Sequence, residues 1–304
     1  MDRLDAMALF VRVVEIGSFS AAAKEKGIGQ PAVSKQIRAL EQRVRTQLLH
    51  RGARGLRPTE AGTDYYQRCR AILAQLQEAE GTVTGLQGRL NGALSIHTSV
   101  MLGQMYVVPL LLRFQEIHAG LSIKLNVNDL LVDLVEEGVD MAIRGGAVAL
   151  RDSSLAQRRL GMTRRVTVAT PGYLERHGTP TAPDDLTRHN CLLHTYLPFG
   201  NEWPFEGTQR EVTVRVSGDF TTNSAHALRA ALLAGRGITL GPAWLFYDSL
   251  EAGELVPVLE DYAPPPIEVS ALYPSGRHLS TKVVAFTEFL QKQFRSIPAL
   301  ARGH

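Results

Sequence analysis

The residues best suited to a chemical task lie between Ser18 and Val44, where small polar side chains are interspersed with long cations. Ser34, Lys35 and Arg38 fall on one face of a predicted helix. This face suits the major groove of DNA, because the cations can bind phosphates and guanine edges while the hydroxyl contacts other base edges. Basic faces are also common on helices that simply face water, so the pattern alone leaves both interpretations open.

Two short helices joined by a glycine-containing turn are predicted to carry this face. The first begins near Ser18 or Ser20, whose hydroxyl can cap a helix. The second begins near Gln30, with Pro31 in its first turn, and both residues are expected close to the DNA backbone. Apolar residues of the second helix recur at helical spacing and predict a buried stripe of Val33, Ile37, Leu40 and Val44.

An opening helix over residues 3–16 and a two-stranded wing complete the predicted DNA-binding part. The strands are expected at 48–49 and 56–57, and the turn between them carries Arg54. A guanidinium at a wing tip can enter the minor groove, although an arginine in such a turn is often only exposed. Residues 1–60 contain eleven Lys and Arg against six Asp and Glu, a net charge of +5 in a chain of +3. This uneven charge indicates a polyanionic partner at one end of the chain.

Thr59 is predicted to cap a long helix that ends near Val83. Its apolar residues form a seam of Ala61, Tyr65, Cys69, Ile72, Leu76 and Val83. A long apolar seam on a helix with few neighbouring elements to cover it favours pairing with a second copy of the chain. The alternative is that the seam packs against the rest of the same chain. The glycine-rich residues 85–92 follow and predict a hinge.

Beyond the hinge, strands alternate with helices, which indicates an α/β part with a parallel, doubly wound sheet. The predicted strands and helices are 93–98, 102–118, 122–127, 130–137, 140–144, 164–170, 191–194, 211–216, 224–234, 238–240, 267–273 and 280–294. This order predicts two lobes separated by a cleft, with chain crossings near 160–165 and 262–268.

Three strand ends are predicted to meet at the cleft, because ligands of doubly wound sheets bind beside the carboxyl ends of strands. The residues expected to bind a small effector there are Thr98, Ser99, Val100, Arg144, Thr222 and Asn223. Hydroxyls, backbone N–H groups and one guanidinium suit a small organic acid or another anion. The alternative is structural. Thr98 and Ser99 would then only cap the following helix, and Arg144 would pair with an aspartate, Asp129 or Asp133.

Composition and motifs argue against several other classes of protein. At 304 residues and 44% hydrophobic content, the chain is long enough for two or three domains, and it lacks an apolar run that could span a bilayer. The N-terminus lacks the residue order of a signal peptide, so the expected location is cytoplasmic. No cysteine and histidine spacing indicates a metal site, and no cofactor is expected. The motifs of hydrolases, metalloproteases and P-loop enzymes are missing, so an enzyme is not expected.

Longer stretches resemble the LysR-type transcriptional regulators over essentially the whole chain. The matching stretches are FVRVVEIGSFSAAAKEKGIGQPAVSKQIRALEQRV, LRPTEAG at 56–62, LVDLVEEGVDMAIRGG at 131–146, RRLG at 158–161 and LLAGRGITLGPAWL at 232–245. A further stretch, RRVTVATPGYLERHGTP at 164–180, is typical of the branch that includes the CrgA-like regulators.

The resemblance implies an α/β chain with three parts. These are a winged helix-turn-helix DNA-binding domain at 1–58, a linker and dimerisation helix with its hinge at 59–88, and an effector-binding domain at 89–304. The last is expected to resemble the two-lobed periplasmic binding proteins of type 2, with lobe 1 at 89–162 and 268–304 and lobe 2 at 163–267.

The implied function is sequence-specific regulation of transcription. Regulators of this family commonly bind an interrupted palindrome of double-stranded operator DNA as dimers or homotetramers, and a small effector in the cleft switches them. RNA polymerase is a further implied partner. Two alternatives stay open, namely a regulator without a small-molecule effector and a cytoplasmic solute-binding protein.

Two positions depart from the family pattern. Gly29 stands where a Ser or Thr usually caps the recognition helix, and glycine caps less well by only about a few tenths of a kcal/mol. Arg45 stands where glycine usually ends that helix, and a non-glycine residue at positive φ costs on the order of 1 kcal/mol. Neither change removes a group expected to contact DNA.

Overall fold

A computed structural model gives the architecture of the chain. It describes residues 2–52, 55–83, 90–130, 132–146, 155–195, 197, 199–206, 211–275 and 279–301. The chain forms two units, which comprise Met1–Arg89 with Val135–Gly138 and Leu90–Leu134 with Val139–His304. No helix in the described ranges is both long enough and apolar enough to cross a membrane.

The first unit contains the expected winged helix-turn-helix and a long helix. Its elements are α1 (Arg3–Ile16), α2 (Phe19–Lys26), α3 (Gln30–Val44), β1 (Leu49–Gly52), β2 (Gly55–Pro58) and α4 (Glu60–Val83). The Ser18 hydroxyl caps α2 by accepting a bond from the Ala21 N–H, and Gly27 ends α2 in a left-handed conformation. β1 and β2 pair antiparallel. Arg54 and residues 84–89 of the predicted hinge lie outside the described residues.

The predicted stripe of α3 forms the core of this unit. Val33 and Ile37 are fully buried together with Phe10 of α1. At the start of α4, the Thr59 hydroxyl accepts a bond from the Gly62 N–H at 2.9 Å, which is the predicted cap.

The apolar seam predicted on α4 is divided between the core and the surface. Cys69 is fully buried in the core of the same unit, and the Tyr65 ring lies 5.6 Å from the ring of Phe10. Ile72 is 41% exposed. The prediction that the whole seam awaits a partner is therefore wrong for the first half of the helix, because that half packs along α1. The side chain of Val83 lies outside the described residues.

The second unit contains all the remaining elements. They are β3 (Asn91–Thr98), α5 (Val100–Leu102), a π-helical turn (Gly103–Val107), α6 (Val108–Ile117), β4 (Gly120–Val127), β5 (Met141–Gly145), β6 (Leu155–Thr163), β7 (Arg165–Ala169), α7 (Pro171–His177), a 3₁₀ turn (Pro183–Arg188), β8 (Leu193–His194), β9 (Glu202–Glu206), β10 (Glu211–Arg215), β11 (Thr221–Thr222), α8 (Ala225–Leu233), β12 (Thr239–Pro242), α9 (Ala243–Glu251), β13 (Val256–Val258), a second 3₁₀ turn (Glu260–Tyr262), β14 (Ile267–Pro274), α10 (Thr281–Phe294) and α11 (Pro298–Ala301).

Five of these strands form one sheet in the order β4-β3-β5-β14-β6, which we name the first lobe together with its helices. β3 is parallel to β4 and β5, as expected, whereas β14 is antiparallel to both of its neighbours. The prediction of a fully parallel sheet is thus wrong at β14. The reason is that β14 starts with Ile267 opposite Thr163, where β6 ends, and therefore runs back along β6.

The residues between β6 and β14 form a second lobe. Its central sheet has the order β12-β7-β13, accompanied by the hairpin of β9 and β10 and the parallel pair of β8 and β11. β12 and β13 both run antiparallel to β7, so the expectation of a second parallel sheet is wrong. The chain enters this lobe between Thr163 and Arg165 and leaves it between Tyr262 and Ile267.

The helix predicted over residues 130–137 is missing from the described part of that range, and residues 134–138 form turns instead. The cause is the Arg144 guanidinium, which donates to the carbonyl oxygens of Asp129 and Leu130 at 3.1 and 2.6 Å. A helix starting here would need these carbonyls for N–H groups four residues later in the chain.

Candidate functional site

The outer face of α3 is the candidate nucleic-acid interface. Gln30, Pro31, Lys35 and Arg38 are exposed, and Ser34 is half-buried. Within the described ranges, neither Lys35 nor Arg38 forms an ion pair. Both cations are therefore available to an external anion.

Two acidic side chains of the same unit are engaged elsewhere. The Glu25 carboxylate accepts two bonds from Arg12, at 2.7 and 2.8 Å, which tie α2 to α1 and hold the pKa of Glu25 below its usual value. The Glu41 carboxylate belongs to α3 but accepts the backbone N–H groups of Leu48 and Leu49 at 2.9 and 3.2 Å. Glu41 thus fixes the end of α3 to the start of β1 instead of neutralising the outer face.

The ends of α3 show the two departures from the family pattern. Gly29 precedes the helix in an extended conformation and supplies no side-chain cap. Arg45 follows it with φ 54°, which confirms the positive φ that the sequence suggested. The backbone N–H groups of Arg45 and Thr46 bond to the Gln42 and Glu41 carbonyls at 3.3 and 3.2 Å, so the left-handed residue closes the helix end.

A cavity of about 340 Å³ lies in the second unit, where the first lobe presents the carboxyl ends of β3, β4 and β5. This is the position at which open α/β sheets bind ligands. The polar side chains that line it belong to Ser99, Asp129, Arg144, Arg165 and His194. The apolar lining includes Met101, Leu130, Leu228, Leu240, Trp244 and Leu245.

The predicted residues after β3 have three different environments. Ser99 lines the cavity and makes no side-chain cap bond, whereas the Thr98 side chain is fully buried, and Thr98 and Val100 are not part of the lining. The Val100 N–H donates to the Asp129 carboxylate at 3.0 Å. The backbone N–H of Val100, which was expected to bind a ligand, is therefore already bonded to a protein carboxylate.

Arg144 lines the cavity, but most of its donors are used. Besides the two carbonyls after β4, its Nη2 bonds to His97 Nδ1 at 3.0 Å. A guanidinium only donates, so Nδ1 must be the acceptor and the His97 ring is neutral with its proton on Nε2. Burial, and then the charge of Arg144, lower the pKa of His97 to about 4, while burial lowers the pKa of Arg144 to about 10. The alternative pairing of Arg144 with a carboxylate is replaced by bonds to a backbone and an imidazole.

The predicted residues of the second lobe lie beside the cavity lining. The Thr222 hydroxyl accepts the Ser224 N–H at 3.1 Å, and Asn223 is exposed. Neither residue lines the cavity, although Thr222 pairs with His194, which does. Burial lowers the pKa of His194 and keeps its ring neutral. The effector roles of Thr222 and Asn223 stay predictions.

Arg165 and Trp244 are two of the cavity residues that were missed in the sequence. Arg165 begins β7 and donates from Nη1 to the Pro265 carbonyl at 2.6 Å. Trp244 is the second residue of α9, which starts directly after β12, and the Tyr106 hydroxyl donates to the Trp244 carbonyl at 2.9 Å. A tryptophan just beyond a strand end was a usable signal for Trp244. For Arg165, the only signal in the sequence was its position at a predicted chain crossing.

Metal binding has no support in the described ranges, where no group of three His, Cys, Asp or Glu side chains could hold an ion. Both cysteines are free and buried.

Comparison with known proteins identifies related chains over the full length. Residues 4–63 match the family of bacterial regulatory helix-turn-helix proteins of the lysR type, and residues 87–295 match the LysR substrate binding domain. An HTH-type transcriptional regulator of Haemophilus influenzae is 37% identical over 94% of this chain and 99% of its own length. The transcriptional activator AaeR of Escherichia coli is 34% identical over 99% of this chain and 96% of its own. The structure of CrgA, a LysR-type regulator from Neisseria meningitidis, has a TM-score of 0.61 at 31% identity, covering 95% of this chain and 98% of that one.

Proposed function

The chain belongs to the LysR family of transcriptional regulators, with a helix-turn-helix and an effector-binding domain, and from this premise we propose how it works. In our proposal, residues 1–58 bind operator DNA, 59–88 join two copies of the chain, and 89–304 bind a small effector. The protein acts in the cytoplasm and has no catalytic role.

The outer face of α3 carries the proposal for DNA recognition. Its exposed Lys35 and Arg38 lack ion-pair partners within the described ranges, while Glu41 is turned toward the backbone of the wing. Arg38 is placed to read a guanine, with Ser34 and Lys35 beside it on base edges or phosphates, and Gln30 and Pro31 next to the backbone. Arg54 is proposed to neutralise a phosphate from the wing.

Operator binding by the full-length protein tests this assignment. In fluorescence anisotropy with DNA from its own upstream region, Arg38→Ala should weaken binding by about 1–3 kcal/mol and relax specificity at one position. Lys292→Ala, which removes an exposed cation of α10, is the matched control and should bind as the wild type does. Equal affinity of Arg38→Ala and the wild type would refute the assignment of the recognition helix.

Assembly is proposed to run through α4. Ile72 is exposed on this helix, and two helices paired by their exposed apolar residues would present two copies of α3. A two-fold assembly reads a near-palindromic operator, and two dimers would form a homotetramer on an interrupted palindrome. Light scattering should detect no monomer at micromolar concentration, and Ile72→Glu should shift the protein towards monomer. A monomeric wild type would contradict the proposal.

The cavity of the second unit is the proposed effector site. Ser99 offers an unused hydroxyl, and Arg144 Nε is buried without an acceptor among the described residues. Thr98, Val100, Thr222 and Asn223 are proposed to complete the site when the lobes close on a ligand. A thermal-shift screen of small organic acids on the full-length protein should yield a stabilising compound whose effect is lost in Ser99→Ala and reduced in Asn223→Ala. A stabilising compound indifferent to both substitutions would place the site elsewhere. RNA polymerase is the proposed downstream partner.

A further inference from the structure

Arg165 is a buried cation without a counter-charge. Only 9% of its surface is exposed, and it forms no ion pair in the part of the chain that the structure describes. Its Nη1 donates to the Pro265 carbonyl and its guanidinium lies 5.2 Å above the Phe199 ring. Its Nε is buried and has no acceptor there. A buried cation without a carboxylate partner is costly, because one carbonyl and one aromatic ring replace only part of the hydration that it loses.

Arg144, the other arginine of the cavity, has more hydrogen-bond partners than Arg165. The Nη atoms of Arg144 bond to two carbonyls and to His97, and the negative charge of Asp129 partly opposes the effect of burial on the pKa of Arg144. For Arg165, burial is the cause of the lowered pKa and no acidic group opposes it. Among the described residues, the lining holds one carboxylate, that of Asp129, against the two guanidinium groups of Arg144 and Arg165, so it carries one positive charge in excess.

The remaining lining sets the shape and polarity of a ligand. Trp244, Leu228, Leu245 and Met101 give the cavity an apolar wall. Its volume of about 340 Å³ is near the lower end of small-molecule sites, which run from roughly 300 to 1,000 Å³. Trp244 Nε1 is buried without an acceptor among the described residues.

We propose that Arg165 anchors the ligand of this cavity and that the ligand is a small monocarboxylate with an apolar body. The inference rests on the proposal that the cavity is the effector site. The guanidinium of Arg165, which lines the cavity, binds the carboxylate, and the carboxylate supplies the missing negative charge. The apolar body lies against Trp244 and the leucines, and one negative charge matches the single excess positive charge of the lining. Since Arg165 also bonds to the Pro265 carbonyl, the anchor connects the ligand to both chain crossings between the lobes.

Calorimetric titration of the full-length protein tests the anchor with acids and their uncharged amides. The probes are benzoate with benzamide and hexanoate with hexanamide, which differ in charge but hardly in shape. The wild type should bind each acid more tightly than its amide. Arg165→Gln should weaken the acids by roughly ten- to hundredfold and leave the amides within about twofold, because only a charge-assisted bond is lost. Arg158→Gln, an exposed arginine on β6, is the matched control and should bind all four as the wild type does.

Two further variants keep the test decisive. Arg165→Lys retains the charge but not the planar edge, so its affinity for the acids should lie between wild type and Arg165→Gln. Retained amide binding reports that the cavity is intact in each variant. Ala225→Phe fills the cavity at the start of α8 and should abolish binding of acids and amides alike.

The outcomes distinguish a failure of the Arg165 anchor from a failure of the proposal that the cavity is the effector site. If wild type and Arg165→Gln bind the acids equally well while Ala225→Phe loses binding, Arg165 is not the anchor. The proposal that the cavity is the effector site then still holds. Amides that bind as tightly as acids also overturn the Arg165 anchor. Acid binding that survives Ala225→Phe places the site outside the cavity and contradicts both proposals. If no acid binds at millimolar concentration, the assignment of a monocarboxylate is wrong.

Discussion

The buried pair of His97 and Arg144 should make the second unit sensitive to acid. His97 is 1% exposed, its Nδ1 accepts a bond from Arg144, and its pKa is lowered to about 4. In the unfolded chain the same ring has a pKa of about 6.5. Between these two pKa values the His97 ring is protonated in the unfolded chain but neutral in the folded protein. The free energy of unfolding therefore falls as the pH falls.

The size of this effect follows from the two pKa values. Well above pH 6.5 the ring is neutral in both the folded and the unfolded state, so its protonation does not change the free energy of unfolding. At pH 5 the unfolded ring is almost fully protonated and the folded ring is not, which removes about 2 kcal/mol of stability. Below pH 4 the loss approaches its limit of about 3 kcal/mol.

Urea denaturation of the full-length protein at pH 7.5 and pH 5 measures this loss. His97→Asn keeps an oxygen acceptor for Arg144 and removes the proton site, so its stability should fall by about 2 kcal/mol less than that of the wild type over this interval. The cost of the smaller side chain is the same at both pH values and cancels in the comparison. His226→Asn, which replaces an exposed histidine on α8, is the control and should lose as much as the wild type. An equal loss in His97→Asn and wild type would refute the reasoning.

Three further predictions concern positions where backbone or burial decides the outcome. Arg45→Gly should stabilise the first unit by about 1 kcal/mol in thermal denaturation, because φ is 54° there, whereas Arg43→Gly inside α3 should destabilise it by about as much. Gly62→Ala should destabilise the unit by about 1–3 kcal/mol, because a Cβ would lie 1.9 Å from the Leu48 carbonyl oxygen. This loss should exceed the gain from the better helix propensity of alanine. A more stable variant would contradict this contact. Cys191 is fully buried with its pKa raised to about 12 by burial, so a thiol reagent at pH 8 should label it only after unfolding, and rapid labelling of the native protein would refute its burial.

The DNA-binding part was largely predictable because its signals are local. Helical spacing located the buried residues of α3, and a hydroxyl before each of α2 and α4 marked their starts. Even the strained end of α3 at Arg45 was visible, since an arginine stands where a glycine is expected.

The effector part was less predictable because distant residues decide its details. The apolar periodicity of residues 130–137 favours a helix, but a guanidinium from β5 captures the carbonyls that would begin it. The direction of β14 depends on where the chain returns from the second lobe, which no local pattern records. Arg165 looks like an ordinary charged residue at the start of a strand, and only the folded chain reveals that it is buried without an ion-pair partner among the described residues.

The place of β14 between β5 and β6 has a consequence for how the polypeptide matures during synthesis. Val269 and Ala271 of this strand are fully buried in the first lobe, yet the ribosome makes them only after the whole of the second lobe. The second lobe is contiguous from β7 to β13, so it is synthesised completely while the first sheet still lacks a central strand. Late closure by a distant strand is slow and leaves apolar surface open in the meantime. A nascent chain that stops short of Pro274 would therefore be a substrate for chaperones and proteases, however complete its second lobe.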